Sequence, residues 1–182
     1  KIASNYLKSI NRNFVKIREP GGSKFSEKIR NIILNKKSNL NIKTDLLLML
    51  ASRSENMDKI IKKNYKKKII LIDRFTDSTI AYQHHGMKIN RKLIDTLNNF
   101  ILGSLTPDLT FLHTVNKKNL IKRLNLRKTK NRYDLFNYNF YRRVQNGFLK
   151  IAKNKKKYLI VDSNKSISDN KIKVINKINK FL

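Results

Sequence analysis

The chain has 182 residues, of which 40% are hydrophobic, so it has the length and apolar content for one domain, 1–182, without a second. It has no cysteine, which excludes disulfides and thiolate metal sites, and no apolar run near the roughly 18 residues of a membrane span, so we expect a cytoplasmic protein without a membrane partner. The formal charge of +30 is spread along the whole chain, which predicts solvated lysines rather than a specific nucleic-acid site.

Apolar periodicity and turn residues predict an alternation of strands and helices. Strands are expected at 14–19, 68–73, 107–115 and 158–162. Helices are expected at 1–12, 23–34, 44–65, 76–102 with a break near Gly86, 116–127, 134–153 and in the C-terminal tail. Strands that are apolar throughout and separated by helices indicate an α/β fold with a parallel sheet covered by helices on both faces. Ligands of such sheets bind beyond the carboxyl ends of the strands.

One candidate site follows the second predicted strand, in DRFTDSTIAYQ, residues 73–83. Asp73 at a strand end suits a hydrated Mg²⁺, and the planar guanidinium of Arg74 matches phosphate oxygens. The alternative is that they form a structural ion pair or a helix N-cap. The dipeptide Asp73–Arg74, taken on its own, favours this structural role.

A second candidate lies in the preceding helix, where Arg53 interrupts the apolar segment LLLMLASRSENM, residues 46–57. Met49 lies one turn before Arg53 on the same helix face. Burying a charged side chain is costly, so Arg53 needs a partner. Two interpretations stay open: Arg53 pairs with a buried carboxylate, or it hydrogen-bonds a ligand.

A third candidate is RLNLRKTKNRYD, residues 123–134, which gathers five cationic side chains between two predicted helices. A charge run usually marks a solvated face, and the local sequence favours that interpretation. The alternative is a mobile, arginine-rich flap that closes over a transferring phosphoryl group.

Taken together and in this order, six segments resemble bacterial thymidylate kinases over about residues 14–153. They are REPGGSKFSEKIRNIIL, LLLMLASRSENM, IILIDRFTDSTIAYQ, PDLTFLHTV, KRLNLRKTKNRYD and FYRRVQNGFLKIA. The resemblance implies a P-loop nucleoside-monophosphate-kinase-like fold and a homodimer, with a lid at about 125–135. It also implies that ATP, with Mg²⁺, phosphorylates dTMP to dTDP for dTTP biosynthesis.

In this family the ATP phosphates are held by a Gly-rich loop ending in Gly-Lys-Ser/Thr, between the first strand and the first helix. The resemblance puts that loop just ahead of KIASNYLKSI, so we expect the first strand and the loop to precede Lys1, and the chain as printed to be inactive. The REPGG segment is then a different part of the site. It resembles the wall of the monophosphate pocket, where Pro20 and the two glycines allow close backbone approach.

The resemblance assigns the base and phosphate contacts of dTMP residue by residue. Arg53 would hydrogen-bond the thymine edge, and Arg74 would grip the monophosphate. Ser78 and Thr79 would lie near the base. Met49 stands where many members have a phenylalanine that stacks on the base. Methionine is apolar and adaptable, so it would still contact the base, but with weaker stacking.

The resemblance also assigns the sugar wall and the lid. Tyr82 would fill the space of a ribose 2′-hydroxyl, and Gln83 would support that wall. Asp73 would serve the magnesium and phosphate network. Arg127 and Arg132 would be the lid arginines. The resemblance does not indicate which of the two contacts the γ-phosphate.

The sequence departs from the family pattern at Asn131 and Thr114, where aspartates are frequent, and this weakens the lid assignment more than the fold. We expect the three histidines to be structural or exposed: His84, His85 and His113. Two rival functions remain. One is another P-loop nucleoside or nucleoside-monophosphate kinase, and the other is a basic nucleic-acid-binding relic without kinase activity.

Overall fold

The computed structural model describes all of residues 1–182. Its elements are α1 (Ile2–Ser9), β1 (Phe14–Arg18), α2 (Lys24–Leu34), α3 (Ile42–Asn56), α4 (Lys62–Asn64), β2 (Ile69–Asp73), α5 (Thr76–Thr79), α6 (Arg91–Leu102), β3 (Thr110–Thr114), α7 (Lys117–Asn125), α8 (Tyr138–Ala152), β4 (Tyr158–Asp162) and α9 (Ile167–Asn179). Two π-helical turns, Met57–Ile61 and Ile80–Gly86, follow α3 and α5, and a 3₁₀ turn covers Arg132–Leu135. The predicted order and type of elements are confirmed.

Asparagine caps explain where two helices begin differently from the prediction. α3 starts at Ile42 because the side chain of Asn41 accepts hydrogen bonds from the two backbone N–H groups of Lys43 and Thr44. α8 starts only at Tyr138, since Asn137 caps it in the same way and the 3₁₀ turn precedes it. The sequence pattern predicted one helix over 134–153, which includes the end of that turn.

The strands pair in parallel, as predicted, but they form two separate two-stranded sheets instead of one continuous sheet. β1 pairs with β2 from Phe14 beside Ile69 to Arg18 beside Asp73. β3 pairs with β4 over their full lengths. The prediction of a single sheet is therefore correct only within each pair, because no backbone ladder joins the two pairs.

Helices cover both faces of the β1–β2 pair, as predicted. On one face Ile69 and Leu71 pack with Leu7 of α1 and with α9, in a cluster that also takes side chains from β3 and β4. On the other face Ile70 and Ile72 pack with the π-helical turn after α3 and with the end of α6. This alternation follows from successive side chains of a strand pointing to opposite faces.

A third cluster, the largest, joins α3, α6, α8 and the π-helical turn Ile80–Gly86. Because Arg18 and Asp73 are register partners at the carboxyl ends of their strands, the segments that follow them leave the same edge of the sheet. The helical clusters thus hold the residues after β1 and β2 side by side. No helix of the protein combines the length and the apolar character that crossing a membrane requires.

Candidate functional site

The loop after β1 is tied to α3 by hydrogen bonds from both its backbone and α3 side chains. The Glu19–Pro20 peptide is cis, and Gly21 and Gly22 have φ values of +119° and +116°. The Gly21 N–H donates to Ser52 Oγ over 3.2 Å, and Asn56 Nδ2 donates to the Gly21 carbonyl over 2.6 Å. The loop is therefore a fixed wall of the site.

Glycine at position 22 is required by contact as well as by backbone conformation. A Cβ atom there would lie 2.7 Å from Asn56 Oδ1, the atom that accepts the Ser23 N–H. A side chain would thus push away the amide that anchors the loop.

Helix α2 supports the same loop through two side chains one turn apart. Glu27 Oε1 accepts the Gly22 N–H over 2.9 Å, and Arg30 Nη1 donates to the Pro20 carbonyl over 2.6 Å. Arg30 is partly buried, and this burial, with the nearby positive charges of Arg18 and Arg74, lowers its pKa. Three arginines therefore gather at the edge where β1 and β2 end, against the two carboxylates of Glu27, which pairs with Arg18 over 3.0 Å, and Asp73, so the edge keeps an excess of positive charge.

Arg53 lies in the interior, between the loop after β1 and the helical segment after β2. Its Nε donates to Glu19 Oε2 over 2.8 Å, and its Nη1 donates to Thr79 Oγ1 over 3.0 Å and to Asn98 Oδ1 over 2.7 Å. Its guanidinium also lies 5.2 Å from the centroid of the Phe75 ring. Of the two interpretations from sequence, pairing with a buried carboxylate is confirmed.

Glu19 is the buried carboxylate that pairs with Arg53, and its buried environment disfavours the charged form. Burial raises the pKa of Glu19, while the adjacent Arg53 acts in the opposite direction. Glu19 Oε1 is buried without a hydrogen-bond partner. The ion pair with Arg53 is thus what compensates a costly buried charge.

Arg74 differs from Arg53 in being exposed and free of any ion pair within the protein. It adopts a left-handed backbone conformation with φ of +68°, and its guanidinium lies 5.1 Å from the centroid of the Tyr82 ring. Such backbone conformations are unfavourable for a residue with a side chain and cluster at functional sites. Asp73, next to it, is also exposed and unpaired.

Tyr82 is the residue on which the aromatic contacts of the site converge. Its ring meets the rings of Tyr133, Phe140 and Phe148 edge to face, at centroid distances of 5.7, 6.0 and 6.3 Å. Met49 packs in the same cluster as Tyr82 and Tyr133. Ser78 is half-buried, and its backbone N–H donates to the Phe75 carbonyl over 2.9 Å.

Asp45 and its partners form a buried polar group behind Tyr82. Tyr133 Oη donates to Asp45 Oδ2 over 2.7 Å, and Gln83 Nε2 donates to the same oxygen over 3.1 Å. Arg132 pairs with Asp45 Oδ1 and also donates from Nε to the Ile33 carbonyl over 3.0 Å. Burial and the negative charge of Asp45 raise the pKa of Tyr133 far above its ordinary value.

The predicted lid contains the two lid arginines in different environments. Arg127 is half-exposed and pairs with Asp134, whereas Arg132 is held by Asp45. The side chain of Asn131 accepts the Tyr133 N–H, and the side chain of Asp134 accepts the Asn131 N–H, which forms a capping box. Asparagine therefore serves as a cap at the position where an aspartate is frequent in the resembled family.

The structure brings most of the predicted residues into one region, from the REPGG wall through Arg53 and Thr79 to Tyr82 and Arg74. The sequence analysis did not identify two residues that support the site, Arg30 and Asp45. A signal existed for both: Arg30 follows Glu27 at i+3 on the face toward the loop, and Asp45 is the only acid in the apolar start of α3. Nothing in the sequence identified their partners.

A metal ion at this site would have few protein ligands. No group of three or more histidine, aspartate or glutamate side chains is arranged to hold one. The exposed carboxylate of Asp73 still suits Mg²⁺, because this ion keeps several waters and is often held by one or two carboxylates together with substrate phosphates.

Comparison with known proteins gives a consistent result. A model of the family thymidylate kinase matches residues 1–174. The thymidylate kinase of Thermosipho africanus is 38% identical over 171 residues, covering 92% of this chain and 84% of that protein. The enzyme of Ehrlichia chaffeensis is 40% identical over 155 residues, covering 84% and 74%. A crystal structure of thymidylate kinase from Ehrlichia chaffeensis matches with a TM-score of 0.77 and 34% identity, over 98% of this chain and 88% of that one.

Proposed function

Because the chain belongs to the thymidylate kinase family, we propose that dTMP binds at the edge where β1 and β2 end, with its phosphate on Arg74. The reaction is the phosphorylation of dTMP to dTDP, a transferase step of nucleotide biosynthesis. The proposed phosphoryl donor is ATP. One observation carries the assignment of the phosphate: Arg74 is an exposed guanidinium without an ion pair, on an edge where Arg30 is a second arginine without one.

The base and sugar would be held by the groups around Arg53 and Tyr82. Arg53 uses Nε and Nη1 within the protein, which leaves Nη2 for the thymine edge, with Ser78 and Thr79 beside it. Met49 would line the base, and the ring of Tyr82 would occupy the space of a 2′-hydroxyl. In this proposal Gln83 supports Tyr82 from behind, through its bond to Asp45, and Pro20 supplies the wall.

Phosphoryl transfer requires the protein to position the two nucleotides and to neutralise the charge of their phosphates. It needs no covalent enzyme intermediate. Asp73 would hold Mg²⁺ together with waters and phosphates. The bound ion would supply positive charge that offsets the negative charge of the phosphates. Arg74 and Asp73 would then set the acceptor phosphate in line with the donor.

Of the two lid arginines, we assign Arg127 to the transferred phosphate. Arg132 makes a hydrogen bond to α2 and an ion pair to the fully buried Asp45, so releasing it would leave a buried carboxylate uncompensated. Arg127 is half-exposed, and its partner Asp134 keeps a second bond from the Asn131 N–H. Moving Arg127 onto a phosphate therefore costs much less.

A fifth strand between the two strand pairs would join them into one sheet. The side chains of β2 are apolar from Ile69 to Ile72 but only half-buried, although both pairs contribute to one cluster around Leu7 and Val161. A parallel strand there would bury them and carry the Gly-rich ATP loop at its end. That this strand and loop precede Lys1 stays a prediction, which the upstream coding sequence tests.

A homodimer is proposed through the outer faces of α3 and α6, which pack against each other. The middle of each exposed stripe carries no charge, with Leu47, Ala51 and Ser54 on α3, one turn after the exposed Lys43, and Leu93, Thr96 and Phe100 on α6. Phe100 is 87% exposed. In a chain with 42 lysines and arginines, an uncharged apolar face of this kind is typical of a surface that a second copy covers.

A substrate panel tests the proposed function. The full-length protein is assayed with ATP, Mg²⁺ and, in turn, dTMP, dUMP, dCMP and thymidine. We expect the highest kcat/KM with dTMP and no reaction with thymidine. Phosphorylation of thymidine, or equal use of dCMP, would favour another nucleoside or nucleoside-monophosphate kinase. Salt-dependent DNA binding without nucleotide affinity would favour the nucleic-acid-binding alternative.

A further inference from the structure

Asp45 is fully buried and binds three side chains from two separate parts of the chain, the π-helical turn after α5 and the 3₁₀ turn before α8. Arg132 pairs with Oδ1, while the Tyr133 hydroxyl and the Gln83 amide donate to Oδ2. We call these four residues the Asp45 cluster. Since every donor in it points at one carboxylate, loss of that acceptor would leave several buried polar groups without a partner.

On one side the Asp45 cluster sets the orientation of Tyr82. The ring of Tyr133 meets the ring of Tyr82 edge to face at 80°, and Gln83 is the next residue in the π-helical turn that carries Tyr82. Arg74 lies over the same Tyr82 ring at 5.1 Å. Tyr82 is therefore held between the cluster and the guanidinium that faces the ligand.

On the other side the Asp45 cluster anchors the base of the lid. Arg132 and Tyr133 belong to the 3₁₀ turn that ends the lid, and Arg132 is the side chain that ties this turn to both α2 and α3. Five residues earlier, Arg127 has no contact with α2 or α3 among its polar bonds. The lid is thus bonded to α2 and α3 at its C-terminal end, whereas the Arg127 side chain bonds only within the lid.

We propose that Asp45 is a positioning residue that couples the lid to the deoxyribose wall of the dTMP pocket. It touches no substrate and acts through Tyr133 on Tyr82 and through Arg132 on the lid. Without its charge, the lid base detaches from α3 and the Tyr82 ring loses its fixed orientation. The wall then excludes a 2′-hydroxyl less strictly. This inference rests on the proposed function of the site.

The test compares Asp45→Asn with a matched control, Asp95→Asn, whose carboxylate forms an exposed ion pair with Arg91 on α6. Two quantities are measured on the full-length protein. One is the rate of trypsin cleavage at residues 127–130 of the lid, identified by mass spectrometry. The other is the ratio of the Kd values for ribothymidine monophosphate and dTMP, by calorimetry.

For Asp45→Asn we expect lid cleavage to rise about tenfold and the ribose-to-deoxyribose Kd ratio to fall about tenfold, equal to about 1.4 kcal/mol of lost discrimination. Asp95→Asn should change neither. Asp45→Glu, which keeps the charge, should recover part of both effects, whereas a role in stability alone would move only the melting temperature.

If Asp45→Asn does not fold, the Tyr133→Phe variant tests the role of Asp45 in its place. It keeps the aromatic ring but removes the hydroxyl that binds Asp45, so the Kd ratio should fall by a smaller factor in the same direction. A folded Asp45→Asn or Tyr133→Phe with wild-type selectivity and wild-type lid cleavage overturns the inference. A wild-type protein that binds neither nucleotide contradicts the proposed function instead, and the cleavage comparison still tests the anchoring of the lid.

Discussion

Arg53 and Glu19 form an ion pair of 2.8 Å between Nε and Oε2, and their side chains are only 3% and 5% exposed. The pair connects α3 to the loop after β1, so it holds two walls of the site together. It also explains how an arginine is accommodated in the otherwise apolar segment of α3. Because Nη2 takes no part in the pair, a structural role and a ligand-binding role are compatible.

The two roles of Arg53 are separable by mutation. Arg53→Ala leaves Glu19 as an uncompensated buried charge and should lower the free energy of unfolding by about 3–5 kcal/mol. Adding Glu19→Gln removes that charge and should restore most of the loss in urea unfolding. The preference for dTMP over dCMP should stay at least tenfold reduced in this double variant. Full preference in the folded double variant would leave Arg53 with the structural role alone.

Gly22 offers a test of the REPGG wall. Gly22→Ala combines an unfavourable φ of +116° with a contact of 2.7 Å to Asn56 Oδ1. Gly103→Ala is the control, since its φ is +58° and nothing lies within 4 Å of the added Cβ. We expect both to lower the melting temperature but only Gly22→Ala to weaken dTMP binding, by about tenfold or more. Equal dTMP affinities in the two variants would argue against a wall at this loop.

The lid arginines should give opposite phenotypes. Arg127→Ala should lower kcat by about 10³-fold, as arginines that stabilise a transferring phosphoryl group do, with an unchanged melting temperature. Arg132→Ala should instead destabilise the fold by about 3–5 kcal/mol, because the buried Asp45 loses its ion-pair partner. Steady-state kinetics and urea unfolding of both variants measure this. A large kcat loss confined to Arg132→Ala would reverse the assignment.

The proposed dimer face is tested by placing a charge on it. Phe100→Glu should give a monomer by light scattering, where the unchanged protein has twice the mass of one chain. Ile167→Glu is the control, since Ile167 is 80% exposed on α9, away from that face. It should leave the dimer intact. A monomeric unchanged protein, or a dimeric Phe100→Glu, would remove this face from consideration.

The elements were predictable because their signals are local. The apolar run before Asp73 predicts a strand and the amphipathic segment after REPGG predicts a helix, and both are present. The split into two strand pairs was not predictable, since ladder formation depends on which strands lie next to each other in space. Helix starts were displaced because caps such as Asn137 act over three residues, a range that periodicity does not resolve.

The site was predictable only in part, for a related reason. Arg74 and Tyr82 were identified from their segment and indeed face each other. The sequence left the partner of Arg53 open, and Glu19 lies 34 residues away from it along the chain. Asp45 and Tyr133 are separated by 88 residues, so only the fold brings them together.

The measurement closest to the central claim is calorimetric binding of dTMP and ATP to the full-length Arg74→Ala variant. Arg74 makes no ion pair in the protein, so its removal should leave the melting temperature nearly unchanged. A charge-assisted hydrogen bond to phosphate contributes about 1.5–3 kcal/mol, so dTMP affinity should fall by about 10- to 100-fold while ATP affinity stays the same. Unchanged dTMP affinity in the folded variant would contradict the account.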